Sequence, residues 1–344
     1  MRPLILTILV VLWPIYQHPV WTSLNSGVDA RLRGISAVSD RVAWASGSGS
    51  TVLRTTDGGT SWQKLFVTDE QLDFRDIDAV NEKVAYALSI GNGPASRIYK
   101  TVDGGSTWAL QFKNEDPKAF YDAMTFWDVN HGLVIGDSIE KQFCILITTN
   151  GGRDWTRVPT TSLPAALPNE GAFAASGSNI AMFGTTHAWI GTGAAAKARV
   201  LRTTDGGRSW TISETPLKSN QSTGIFSVAF RDKKHGVIVG GDYTKESEAL
   251  DNIAITTDGG MSWTLKKGLS GYRSAVAYIP GTRWLVAVGP SGTDYSMDDG
   301  RTWVSVPGPG FDTLSIVRGL QSTSSVGFAG GMNGRIGKMS FSKD

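Results

Sequence analysis

The sequence predicts an all-β fold: a seven-bladed β-propeller of four-stranded antiparallel blades, with the ring closed by a strand from the N-terminus. Three observations carry this. The stretch TTDGGTSW at residues 55–62 returns as TVDGGSTW at 101, TTNGGRDW at 148, TTDGGRSW at 203, TTDGGMSW at 256 and SMDDGRTW at 296. The six box tryptophans, Trp62, Trp108, Trp155, Trp210, Trp263 and Trp303, stand 46, 47, 55, 53 and 40 residues apart. A period of that size, filled with short apolar runs and no long helical pattern, matches one propeller blade per repeat.

In chain order, the first element is MRPLILTILVVLWPIYQHP. Arg2 precedes a ten-residue apolar run at 4–13, shorter than the ~20 residues a membrane-crossing helix needs. It reads as a signal peptide over 1–18, although no small-x-small triplet fixes the cleavage point; an uncleaved N-terminal anchor is the alternative. The expected location is secreted or periplasmic, with residues 19–344 forming a single domain. No span of the mature chain is expected to cross a membrane, and a monomer is expected.

HPVWTSL, around Trp21, resembles the strands that follow the boxes, such as SWQKL and SWTLK. Trp21 lies 41 residues before Trp62, one blade spacing, so residues 21–24 are expected to complete the last blade and remove its free edge. Within the repeats, blade three reads FYDAMTF, GLVIGD, FCILITT, box, WTRVP, and blade five FSVAF, GVIVGG, IAITT, box, WTLKK. These runs are rich in β-formers and bounded by Gly, Asp and Asn. The second strands are continuously apolar, as strands covered on both faces are. After Trp303 come TLSIVRGL, SVGFAGG and GRIGKMSF with no box, and Phe341 falls where its Asp would stand. Trp21 makes the blade count seven; six blades with a decorated tail is the competing count.

The box closes the hairpin between third and fourth strands. Its glycines permit positive φ. Asp57, Asp103, Asp205, Asp258 and Asp298 are suited to accept bonds from the turn's own amides. Asn150 can do the same but cannot act as a carboxylate acid or base, which favours a structural role for the box. Each Trp opens a fourth strand and can bury its ring between blades.

Six copies of [ST]-x-[DN]-x-G-x-x-W resemble the Asp-box repeats of a propeller superfamily that includes sialidases, some glucan hydrolases, sortilin-type receptors and photosystem II assembly/stability factors. Seven blades, the leader and N-terminal closure are most similar to the assembly-factor type. The resemblance implies the fold and, more loosely, a non-catalytic scaffold that binds a partner; fold does not settle function.

Composition narrows the remaining classes. Forty per cent hydrophobic and 19% charged residues describe a globular chain, and a net charge of +2 gives no sign of nucleic-acid binding. The single cysteine, Cys144, lies in an apolar run and can form no internal disulfide. The four histidines are scattered; His131 and His235 repeat at the turn entering a second strand. No phosphate or dinucleotide motif is present, and no cofactor or metal is expected; a cation at Asp137 and Asp242, which end equivalent second strands, is the weak alternative.

Propeller topology puts the box turns on one face and the starts of the first strands on the other. Aligned first strands begin at Arg33, Arg75, Tyr121, Glu170, Ile225, Arg273 and Arg318. Arg33, Arg75, Arg273 and Arg318 are thus expected to line one side of a channel mouth, with Tyr121 and Glu170 opposite. Guanidiniums in a concave mouth suit carboxylates, so a protein, acidic peptide or glycan is the expected ligand. Pairing with Asp76, Asp78 and Asp122 as rim salt bridges is the plainer outcome. Long loops at 185–199 and 242–253 flank the same mouth. A glycoside hydrolase using Glu170, Tyr121 and Asp122 there, or Asp76 as the second carboxylate, is the alternative; the RIP motif of sialidases is absent, the chain having RLRGI.

Overall fold

A computed structural model describes residues 19–319 and 324–342. Seven four-stranded antiparallel sheets are arranged as blades, each with its strands in sequence order. Blade seven alone is composite: Thr22–Asn25 pairs with Arg335–Ser342, from Thr22 opposite Lys338 to Asn25 opposite Arg335. Its ring closure by the N-terminal strand is therefore as expected. The expected leader, residues 1–18, lies outside the described residues. Among those described, no helix is long and apolar enough to cross a membrane.

The second strands form the core, and Ala43–Gly47 and Leu285–Gly289 are buried at every position. Around the channel, first strands are stitched together by side chains accepting amides from the next blade. Ser315 accepts from Ala37 N (3.0 Å), Ser36 from Ala79 N (3.0 Å), Asp78 from Phe126 N (2.7 Å) and Ser227 from Val276 N (2.9 Å). Between blades, Phe126 stacks on Tyr86 and Phe230 on Trp189, and the box residues Trp155 and Trp263 meet those phenylalanines edge-on.

The repeated turn is a closed hydrogen-bond unit. In the first copy Thr55 Oγ1 donates to Asp57 Oδ1 (2.8 Å) and accepts from Gly59 N (2.9 Å). Asp57 also accepts from Ser61 N (2.9 Å) and Ser61 Oγ (2.6 Å). Those bonds hold its carboxyl down at about 2. Both glycines have positive φ, 75° and 90°. In the third copy the chemistry is exchanged: Asn150 Nδ2 donates to Asp154 (2.7 Å), where the other copies carry Ser or Thr. An amide facing a carboxylate avoids a pair of like charges.

A second repeated feature links three of the blades to the next one. Lys338 donates to Gly58 O (2.8 Å) and Lys100 to Gly151 O (2.7 Å), each from a third strand to the next blade's box. Arg54 reaches Glu82 O (2.8 Å) on the next blade. The three cations lie over Phe328, Tyr86 and Trp44. Blade five has Ile255 at this position, and the sixth box departs from the others in the same place: Asp299 replaces the first glycine yet keeps φ at 61°. Its carboxylate accepts from Arg231 of blade five (2.6 Å) and from Arg283 (2.7 Å). A carboxylate–guanidinium link thus replaces the cation–carbonyl link.

Two expectations are corrected. The first strand of blade four is Ile180–Phe183, not the run beginning at Glu170, and the second is His187–Gly191. The loop expected at 185–199 is therefore confined to 192–198. Residues 171–178 carry only one side chain larger than serine, so they offer little apolar surface for a strand to bury. In blade seven, Arg318 ends Thr313–Arg318 rather than opening it, because the register runs from Thr313 opposite Gly330 to Arg318 opposite Ser325. It is exposed at the box-face end of the ring.

Candidate functional site

Arg33 and Arg75 lie near the starts of Leu32–Ala37 and Asp73–Ala79, as the column of first strands implied. Both converge on residues 171–179 of blade four, which cross the channel. Arg33 Nη1 donates to Ala175 O (3.4 Å) and Arg75 Nη1 to Ala174 O (3.1 Å). Arg75 also holds Asp73 through Nε (2.9 Å). Arg33 differs from it: among the described residues no carboxylate bonds its guanidinium. Burial pushes its pKa down, and the charge of Arg75 pushes the same way. Asp312 opposes this, but its carboxylate is already gripped by Arg31 (2.7 and 2.9 Å).

The other residues of the column play different parts. Arg273 is fully buried; its Nε bonds Asp294 (2.7 Å) and its Nη1 the carbonyl of Tyr272 (2.8 Å). It is a core ion pair and offers no donor to the rim. Arg318 is at the opposite end of its strand. Tyr121 is buried between blades two and three against Phe112, and burial pushes its hydroxyl up to about 12. Glu170, 1% exposed, is saturated by Arg199 (3.0 Å to Nε), Thr192 (2.6 Å) and Leu167 N (2.8 Å). Asp122 is also buried, its pKa raised by burial and by Asp137. The three residues named for hydrolysis thus present no open carboxylate pair. Asp242 is taken up by Thr244 N (2.9 Å) and Oγ1 (2.6 Å), and no group of three or more metal-ligating side chains occurs among the described residues.

The structure adds an aromatic lip that sequence reasoning missed. Phe173 stacks on Phe226 at 3.9 Å, Tyr272 meets Phe226 edge-on at 4.7 Å, and the half-exposed Tyr243 stands at 6.1 Å from Phe226. Tyr243 lies in the blade-five loop at 242–253, which only its length marks in the sequence. Beside the mouth, a depression of about 660 Å³ is lined by Pro168, Asn169, Ala194 and Gln221.

Taken together, these features define a propeller with a plugged channel and a mouth that combines one unpaired guanidinium, a second nearby, and exposed aromatic surface. Among solved structures, the chain is similar to one described as YCF48 bound to D1 peptide: 16% identity, TM-score 0.65, covering 96% of this chain and 99% of that one. It is also similar to YCF48 from Cyanidioschyzon merolae, at 17% identity and TM-score 0.64, covering 92% and 98%. The WD40 β-propeller domain of Doa1 follows at 11% identity and TM-score 0.61, covering 95% and 98%. At these identities the likeness is one of fold. No protein-family profile matches the chain, and no curated protein matches it.

Proposed function

We propose that this chain is an exported, non-catalytic scaffold that binds an acidic segment of a protein partner at the channel mouth, through Arg33 and Arg75. One observation carries the reading: Arg33 is largely buried, charged, and bonded to a carbonyl but to no carboxylate. A guanidinium taken out of water without a counter-ion is costly, and an incoming carboxylate relieves that cost. Tyr272, which lies within electrostatic reach of Arg33, connects it through Phe226 to Tyr243 and Phe173, whose apolar surface gives the pairing of aromatic and Arg that recurs where protein interfaces are tightest. The peptide held by the similar propeller, as its description states, supports a protein ligand.

The test is binding of a fluorescein-labelled, Glu-rich peptide followed by anisotropy at low and high salt. Arg33→Ala with Arg75→Ala should weaken binding about tenfold or more. Arg318→Ala, at the other end of the ring, should leave it unchanged. Equal affinities for all three proteins would remove the mouth as the site.

A further inference from the structure

Residues 171–179 touch every other blade. Ala172 and Ala174 donate backbone bonds to Asp137 and Asp122 of blade three. Ala174 and Ala175 accept from Arg75 of blade two and Arg33 of blade one. Ser176 O accepts from Thr313 of blade seven (3.1 Å), and Ser176 Oγ donates to Ser274 O of blade six (2.7 Å). Ser178 Oγ donates to Ser227 of blade five (2.8 Å), and Ser178 O accepts from Val228 N (2.9 Å). This segment is a plug whose own backbone and serines satisfy it.

The plug lies directly on carboxyl groups. A Cβ at Gly171 would stand 1.9 Å from Asp137 Oδ1, and one at Gly177 2.1 Å from Asp76 Oδ1. No cation bonds Asp76, Asp122 or Asp137, and Asp122 Oδ2 is buried without a partner. Charged groups facing them are Asp78 on the strand of Asp76, and Arg75, which acts on Asp122 through space. Arg33 and Arg75 also face the segment, donating to its carbonyls at Ala175 and Ala174, while Glu170 at its base is held by Arg199.

We propose that residues 171–179 form a proton-dependent plug, seated while Asp76, Asp122 and Asp137 are neutral and released from the channel as they ionise. Three negative charges against one backbone segment, two of them on the nearly fully buried Asp76 and Asp122, are not tolerated; the segment is the element whose departure would admit solvent. Burial pushes Asp76 up to about 8 and Asp137 to about 6, and Asp122 also lies well above the usual carboxylate range. A folded-state pKa raised above the unfolded value gives stability that is complete at low pH and lost as pH rises through the folded pKa. Loosening therefore sets in above the ordinary carboxylate range, is complete for Asp137 by about pH 6 and continues for Asp76 to about pH 8. This device stands apart from the acidic-ligand reading and needs no ligand.

Hydrogen exchange of the full chain, corrected for intrinsic rates, tests it. Between about pH 5.5 and about pH 9, protection of residues 172–178 should fall at least about tenfold relative to the second strand of blade three, Gly132–Ile139. Asp76→Asn, Asp122→Asn and Asp137→Asn together should hold that protection nearly constant. Uniform protection of the wild-type segment across the range would overturn the proposal without any variant. A folded Asn variant that loses protection like the wild type would overturn it equally.

Discussion

The single residue most telling about the repeated turn is Asn150. It shows that the box requires an acceptor, and in the one copy whose partner four positions on is a carboxylate, Asp154, the box residue is an amide. Asn150→Asp should destabilise the fold by about 0.5–1 kcal/mol at neutral pH, with the loss disappearing in acid as one carboxyl takes a proton. Urea unfolding at both pH values measures this. Where Asp is native the sign is opposite. Asp57 and Asp103 are held down at about 2, so their contribution is present above the ordinary carboxylate pKa and is lost as pH falls towards 2. Melting temperature should drop on that acid limb, and less steeply in Asp57→Asn. Arg273 tests burial in place of turn chemistry. Arg273→Ala leaves Asp294 as an uncompensated charge in the core and should cost about 3–5 kcal/mol, whereas Arg273→Met with Asp294→Leu should recover most of it.

At the scale of elements, the braces between blades set which turns are critical. Arg231 and Asp299 are the substitute for a missing third-strand cation, and both are largely withdrawn from water. Arg231→Ala should destabilise by about 1–2 kcal/mol, compared with about 0.5–1 for Lys100→Ala, whose bond is to a neutral carbonyl. Thermal unfolding of the two variants side by side decides the ranking. The elements themselves were legible where their signal is local. The box announces its turn by composition, and the second strands announce burial on both faces by unbroken apolar runs. Blade four was misread because Glu170 to Ala175 imitates a strand start, while that run and the adjoining Ser176 have as partners Arg33, Asp122, Ser274 and Thr313, distant in sequence. Arg273 misled for the same reason: nothing near it marks Asp294, two strands away, as its counter-ion. Arg33 and Arg75 were placed correctly because their position depends only on the start of a strand.

At the scale of the molecule, stability depends on the seam in blade seven. Trp21 packs against Phe311 at 4.7 Å and donates to Thr293 (3.0 Å), carrying the closing strand onto blade six. Deleting residues 1–25 should bare the edge of Arg335–Ser342 and produce concentration-dependent association by gel filtration. The intact ring then presents two faces: a box face whose turn carboxylates are held by their own turns or by Arg231 and Arg283, and a mouth where Arg33 is left without a counter-ion. Hydrogen-exchange difference mapping with and without a Glu-rich peptide compares them directly. Binding at the mouth predicts added protection around residues 31–33, 73–75, 174–175 and 243, with the box turns unchanged. Protection confined to the box turns, with none at the mouth, would contradict it.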